Sequence, residues 1–263
     1  MIFYASRNLK VFADNAGPTF SEMLVVCFQY QLPDPSLDAP GFGEEFFRAH
    51  RIDSVFVNCA TNEWWQYRDL PRALSILRGL AASWRRTVTY GSSMGGYAAL
   101  RFAGAIGATT CIAVGPQYSP RGVVVPGEDR YDSLVSATDF LHEDAYRICR
   151  TATNFVLYDP LYRMDKRHVL RYAQEANLLH VRVPCTGHTP TVVLSQCGLL
   201  GDVILELLSG IFLPAEFRRS FRRARRASSE YWRELALRSG ERKHAGALPS
   251  AGADAAHRGT SRP

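Results

Sequence analysis

The chain has 263 residues, enough to bury one good core with additions, and its 46% apolar and 21% charged residues are ordinary for a globular protein. No apolar run reaches the roughly 18 residues of a membrane span, and residues 1–12 lack the basic-then-apolar pattern of an export signal. The six cysteines (27, 59, 111, 149, 185 and 197) form no C-x-x-C pair and no metal-ligand spacing, so reduced thiols in a cytoplasm are expected, with no metal and no cofactor.

In chain order, Ile2–Ala5 and residues 9–13 predict an opening hairpin. Met23–Phe28, MLVVCF, predicts a third strand and residues 55–58 a fourth. Residues 70–84 carry the spacing of an amphipathic helix. Residues 87–103, TVTYGSSMGGYAALRFA, predict a β-branched strand, a glycine-bounded turn and an Ala-rich helix. Thr110–Val114 predicts a further strand. Residues 154–158 predict a buried strand that runs directly into Asp159 and Pro160, and residues 166–176 the helix after it. Residues 179–183 predict the last strand, followed by the loop PCTGH and a helix over 191–208. Such alternation indicates an α/β fold, a mostly parallel twisted sheet with helices on both faces. No G-x-G-x-x-G follows a strand, which argues against a dinucleotide fold.

Within residues 87–103, Gly91-Ser92-Ser93-Met94-Gly95 fits G-x-S-x-G. A strand that turns sharply into a helix strains the serine at the bend and aims its Oγ into a cleft, while the two glycines remove Cβ atoms that would collide. Ser93 is thereby the expected nucleophile, at a helix N-terminus whose free N–H groups favour developing negative charge. A serine hydroxyl needs a histidine base and a carboxylate to orient that base. His188, in the glycine-containing loop after the last strand, is the expected base; His168 falls in a helical run and His180 opens a strand. Asp159, at a strand end, is the favoured acid. Asp165 is the alternative, with a helix N-cap as its structural role, and Asp129 and Asp132 in a different loop stay open.

The segments GSSMGG, YDP and TGH, in this order and on these elements, resemble the α/β-hydrolase superfamily over about residues 1–213. YGSSMGGYAALRFA in particular is similar to bacterial serine hydrolases of the esterase and thioesterase kind. The resemblance implies a triad of Ser93, His188 and an aspartate. It also implies an oxyanion hole made by the Met94 N–H and an N–H from the loop after the third strand. Many members carry His-Gly in that loop; this chain has Gln29 and Tyr30 there, which leaves one of these as the donor.

Two loops are candidates for substrate contact. One carries Trp64 and Trp65. The other opens the insertion over residues 115–150, where Gln117 leaves a strand end; its Pro and Gly content fits a cap over the site. Residues 214–263 form a basic tail, expected to be helical and then, from about Ala245, disordered. From Glu216 onward it holds twelve Arg and Lys against five acids, leaving the body nearly neutral. A basic aromatic helix suits an anionic surface or an acidic partner, while the near-neutral body argues against a dedicated nucleic-acid binder. The expected function is a serine hydrolase cleaving a small-molecule ester or thioester through an acyl-enzyme on Ser93. The alternative is a catalytically silent fold that binds partners through its tail.

Overall fold

The computed structural model describes residues 1–13 and 22–246, with side chains through residue 240. Eight strands form one sheet: β1 Ile2–Ala5, β2 Leu9–Phe12, β3 Met23–Phe28, β4 Asp53–Cys59, β5 Arg86–Ser92, β6 Thr110–Val114, β7 Thr153–Tyr158 and β8 Leu179–Arg182. Their spatial order is β1-β2-β4-β3-β5-β6-β7-β8. The β1–β2 and β2–β4 pairs are antiparallel, and every other pair is parallel.

The central strands are nearly continuous apolar runs because both faces of the sheet are covered. Along β3, Leu24, Val26 and Phe28 enter one core while Val25 and Cys27 enter the other, the period of two that a pleated strand imposes. The helices are α1 Glu44–Ala49, α2 Leu70–Ala81, α3 Met94–Arg101, α4 Ala103–Ile106, α5 Asp132–Val135, α6 Arg163–Ala173, α7 Pro190–Gln196, α8 Leu200–Ser209, α9 Pro214–Ala224 and α10 Ser229–Gly246. On the first face α2 buries Leu70, Leu74 and Leu77 beside Met94, Tyr97 and Ala98 of α3. On the second, Phe47 of α1 and Ile204, Leu207 and Leu208 of α8 pack with Val88, Ile112 and Leu157.

Several element boundaries differ from the sequence expectation. Helix α2 stops at Ala81. The single helix expected over 191–208 is two, α7 and α8, bent by 116° around Gly198, whose φ of +68° is left-handed. Helix α6 starts at Arg163, three residues early, which puts Asp165 in its first turn with Tyr162 at the N-cap.

The basic tail is helical and joins the core. Phe217, Phe221 and Tyr231 are buried in the same cluster as Val183 and Leu194, while Arg218, Arg219, Arg222 and Arg223 are exposed. The disorder expected from about Ala245 falls, from residue 247 on, outside the described residues. Among the described residues no single helix is long and apolar enough to cross a membrane; only the bent α7–α8 pair passes by length and composition.

Candidate active site

The turn from β5 into α3 is one residue wide. Ser93 takes φ 55° and ψ −118°, a conformation that costs an L-residue about 1–3 kcal/mol and persists only where its surroundings over-determine it. Here they do. The Ser93 N–H donates to Val114 O at 2.8 Å, which ties the bend to β6. A Cβ on Gly91 would run into the Gly95 carbonyl, and a Cβ on Gly95 into the Phe28 carbonyl. The strand and helix can therefore cross this closely only with glycine at both positions.

His188 lies in the loop between β8 and α7 and reaches the bend. Its Nε2 is 3.0 Å from Ser93 Oγ, and its Nδ1 is 2.7 Å from Asp165 Oδ2. A carboxylate only accepts, so Nδ1 carries the proton and the Nε2 lone pair faces the serine hydroxyl. Asp165 is buried and the His188 side chain is 26% exposed. Gly115 (φ +49°) follows β6 directly and faces this pair; a Cβ there would stand 3.3 Å from Asp165 Oδ2 and 3.4 Å from His188.

The sequence places Asp159 against the histidine; the structure puts Asp165 there instead. Asp159 is fully buried, with its oxygens taken by other donors. Oδ1 accepts the Leu161 N–H at 2.8 Å, and Oδ2 accepts the Thr186 and Gly187 N–H groups at 2.9 and 3.0 Å and Arg238 at 2.7 Å. The reason is local. Asp159 turns into the loop beside it, whereas the start of α6 at Arg163 puts Asp165 in the first turn of that helix, facing His188. The His188 ring nitrogens meet Asp165, Ser93 and Gln117, and neither Asp129 nor Asp132 is hydrogen-bonded to them.

Behind Asp165 stands a buried charge network. Arg130 Nη1 lies 3.3 Å from Asp165 Oδ1, and Arg130 also grips both oxygens of Glu128 through Nε at 2.9 Å and Nη2 at 2.6 Å. Glu128 in turn faces His168 Nε2 at 2.7 Å. The Tyr118 N–H donates to His168 Nδ1, so Nε2 holds the proton and donates to Glu128. Burial opposes ionisation of Glu128, but the hydrogen bonds from Arg130 and His168 outweigh it and hold the carboxyl at about 2.

Gln117 is fully buried in the site. Its Nε2 donates to Ser93 Oγ at 2.9 Å and to the Tyr131 hydroxyl at 3.0 Å, and lies 3.1 Å from His188 Nε2. Burial pushes the Tyr131 phenol up to about 12, against the pull of Arg130, so it stays protonated at neutral pH. Trp64 and Trp65 are packing residues, 1% and 0% exposed, in left-handed backbone at φ 46° and 63°. Trp64 meets Tyr131 edge-on at 4.6 Å. Trp65 packs on Phe28, and its indole N–H donates to Met94 O at 3.0 Å, fixing the peptide next to the nucleophile.

For the oxyanion, Met94 opens α3, where a backbone N–H has no partner within the helix. The Gln29 N–H is spent on Val57 O at 3.1 Å and its Oε1 accepts from Cys59, so the Gln29 backbone is not available as a donor, while its buried side-chain Nε2 has no hydrogen-bond partner. That leaves Tyr30, the next residue along the strand end that abuts Gly95. Among the described residues, no cluster of three or more His, Cys, Asp or Glu could hold a metal ion.

Glu128, Arg130, Tyr131 and Arg238 are site residues that sequence reasoning did not single out. The first three sit in an irregular insertion, where no periodicity assigns a direction to a side chain. Arg238 is one of three arginines in α10 and one of eleven from Glu216 onward.

No protein-family model matches the chain, and no curated protein matches it. Solved structures do. A capsule O-acetyltransferase of Neisseria meningitidis serogroup A is 10% identical, with 85% of this chain and 93% of that chain covered at a TM-score of 0.53. An α/β serine hydrolase without a lid from Xanthomonas campestris is 15% identical, covering 82% and 88% at a TM-score of 0.43. S-formylglutathione hydrolase from Staphylococcus aureus is 12% identical, covering 79% and 97% at 0.46.

Proposed function

For a chain that has the α/β-hydrolase fold, we propose a serine hydrolase that cleaves an ester or thioester through an acyl-enzyme on Ser93. The observation that carries this reading is the unbroken hydrogen-bonded series from Ser93 Oγ through His188 to Asp165, with Ser93 in strained backbone at a helix N-terminus.

The substrate carbonyl carbon is attacked by Ser93 Oγ as its proton passes to His188 Nε2. Asp165 holds the imidazole in the Nδ1–H tautomer and stabilises the imidazolium. The carbonyl oxygen, now an oxyanion, takes hydrogen bonds from the Met94 and Tyr30 N–H groups; loss of one such donor costs roughly 3–4 kcal/mol of transition-state stabilisation. The intermediate collapses, His188 gives its proton to the leaving alcohol or thiol, and the acyl group stays on Ser93. Water, deprotonated by His188, then attacks and releases the acid. An alcohol bound in place of water would accept the acyl group by the same steps, which makes transfer a variant of this chemistry.

Residues 1–213 carry the catalytic groups, with residues 115–150 as a cap, a reading supported by Gln117 and Tyr131, which both reach the Ser93 neighbourhood. A cytoplasmic setting agrees with the free thiols of Cys27, Cys59, Cys111 and Cys185, all buried.

The test is turnover of p-nitrophenyl esters of graded chain length by wild type, Ser93→Ala and His188→Ala. The expected result is activity in wild type and a loss of about 10⁴-fold or more in each variant. Added alcohols that divert product from acid to ester would identify transfer. Equal background rates in all three proteins would overturn the reading. They would favour a silent fold acting through its basic tail, whose exposed Arg218, Arg219, Arg222 and Arg223 would meet an anionic partner.

A further inference from the structure

We propose that α10 belongs to the catalytic scaffold and that Arg238 is a positioning residue for His188, acting through Asp159; the functional part of this rests on the reading above.

The loop that carries His188 is backbone-strained. Cys185 and Gly187 both have positive φ, at 61° and 55°, and for Cys185 that conformation is unfavourable. A strained loop holds one shape only if outside contacts fix it, and these converge on Asp159. Its Oδ2 takes the N–H groups of Thr186 and Gly187, the two residues just before His188. That same oxygen takes Arg238 Nη2 at 2.7 Å, from a residue 79 positions away in sequence. Arg238 Nη1 donates to Leu161 O at 2.6 Å, in the short segment that leads into α6 and Asp165. One guanidinium therefore joins the segment bearing the acid to the loop bearing the base.

Asp159 is fully buried and the Arg238 side chain is 15% exposed. Without the arginine, a buried carboxylate would be left with neutral donors alone, a costly state that the chain relieves by opening the loop to water. Two further contacts of this segment lie beside the same histidine loop, and a third holds it to α7. Glu234 covers Gly187, where a Cβ would stand 2.9 Å from its carboxyl carbon. Thr189 donates to Glu230 at 3.4 Å, and Ser228 donates to Gln196 at 2.6 Å, anchoring the start of α10 to the helix after the loop.

The experiment compares full-length wild type, Arg238→Met and Arg238→Lys by two readouts. The first is the rate of fluorophosphonate labelling, with kcat and KM on a p-nitrophenyl ester. The second is the downfield proton resonance of His188 Nδ1–H, assigned by its loss in His188→Ala. In Arg238→Met the expected result is a labelling rate and kcat lower by about ten- to a hundredfold, KM within twofold, and a broadened or lost resonance. Arg238→Lys, which keeps the charge on Asp159, recovers part of both. Should the Met variant unfold, as judged by its thermal midpoint, Arg238→Gln carries the same test, because it keeps N–H donors and drops the charge. A wild-type rate together with an unchanged resonance in the uncharged variant overturns the proposal. If wild type itself is not labelled, the hydrolase reading fails, and the resonance still decides whether Arg238 positions His188.

Discussion

Asp159 and Asp165 are six residues apart and differ in what surrounds them. Asp165 presents one oxygen to His188 and the other to Arg130, whereas Asp159 spends both on backbone N–H groups and Arg238. Replacing Asp165 by Asn is expected to slow turnover by about 10³–10⁴-fold with the fold kept, because an amide supports the wrong imidazole tautomer. Ester turnover beside a circular-dichroism melt checks both halves of that statement. Gly115→Ala is a second test at this scale. Its φ of +49° disfavours a side chain, and a Cβ within 3.4 Å of both Asp165 and His188 would push them by a few tenths of an ångström. A lowered kcat with about 1–2 kcal/mol of lost stability is expected. The sequence favoured Asp159 because strand ends gather catalytic groups. What it could not show was the direction of a side chain beside Pro160, or that α6 begins at Arg163. By contrast, the meeting of Ser93 and His188 was legible: glycine spacing constrains the turn at Ser93 directly, and the loop after the last strand brings His188 Nε2 within 3.0 Å of its Oγ.

At the scale of elements, the insertion over 115–150 does more than cross from β6 to β7. Glu128 and Arg130 bring a buried ion pair to the back of Asp165, and His168 of α6 closes it. Because the Glu128 carboxyl is held at about 2, below its ordinary value of 4.5, its ionised form stabilises the fold. That contribution is complete above about pH 4.5 and is lost as pH falls toward 2. Glu128→Gln is therefore expected to be less stable than wild type by about 1–3 kcal/mol at pH 7. The gap should narrow at pH 3, and denaturant midpoints at the two pH values measure it. A gap that does not change with pH would assign the loss to packing. The elbow glycines mark the opposite limit. Gly91→Ala and Gly95→Ala each drive a Cβ into a backbone carbonyl, and both should fail to give stable protein.

Across the whole molecule, composition separates a near-neutral body from a basic tail, yet the fold does not keep them apart. Phe217, Phe221 and Tyr231 are buried against the second face of the sheet, and Arg238 reaches the buried end of β7. The sequence marks the tail as a basic aromatic helix, and in α9 Phe217 and Phe221 take the buried side while Arg218, Arg219, Arg222 and Arg223 take the exposed one. It could not show what they anchor to, since that surface is assembled from β8, α7 and α8, elements distant in the chain. Phe221→Ala should cost about 3–5 kcal/mol of global stability, as a large core truncation does. A change below about 0.5 kcal/mol in a urea titration would mean that the tail is an appendage after all.

The measurement that bears most directly on the site is fluorophosphonate labelling of wild type and Asp165→Asn, followed by peptide mass mapping. An activated Ser93 predicts one adduct on the peptide that contains it in wild type, formed far more slowly in the variant. An unlabelled wild type, or an adduct on another serine, would contradict the catalytic account.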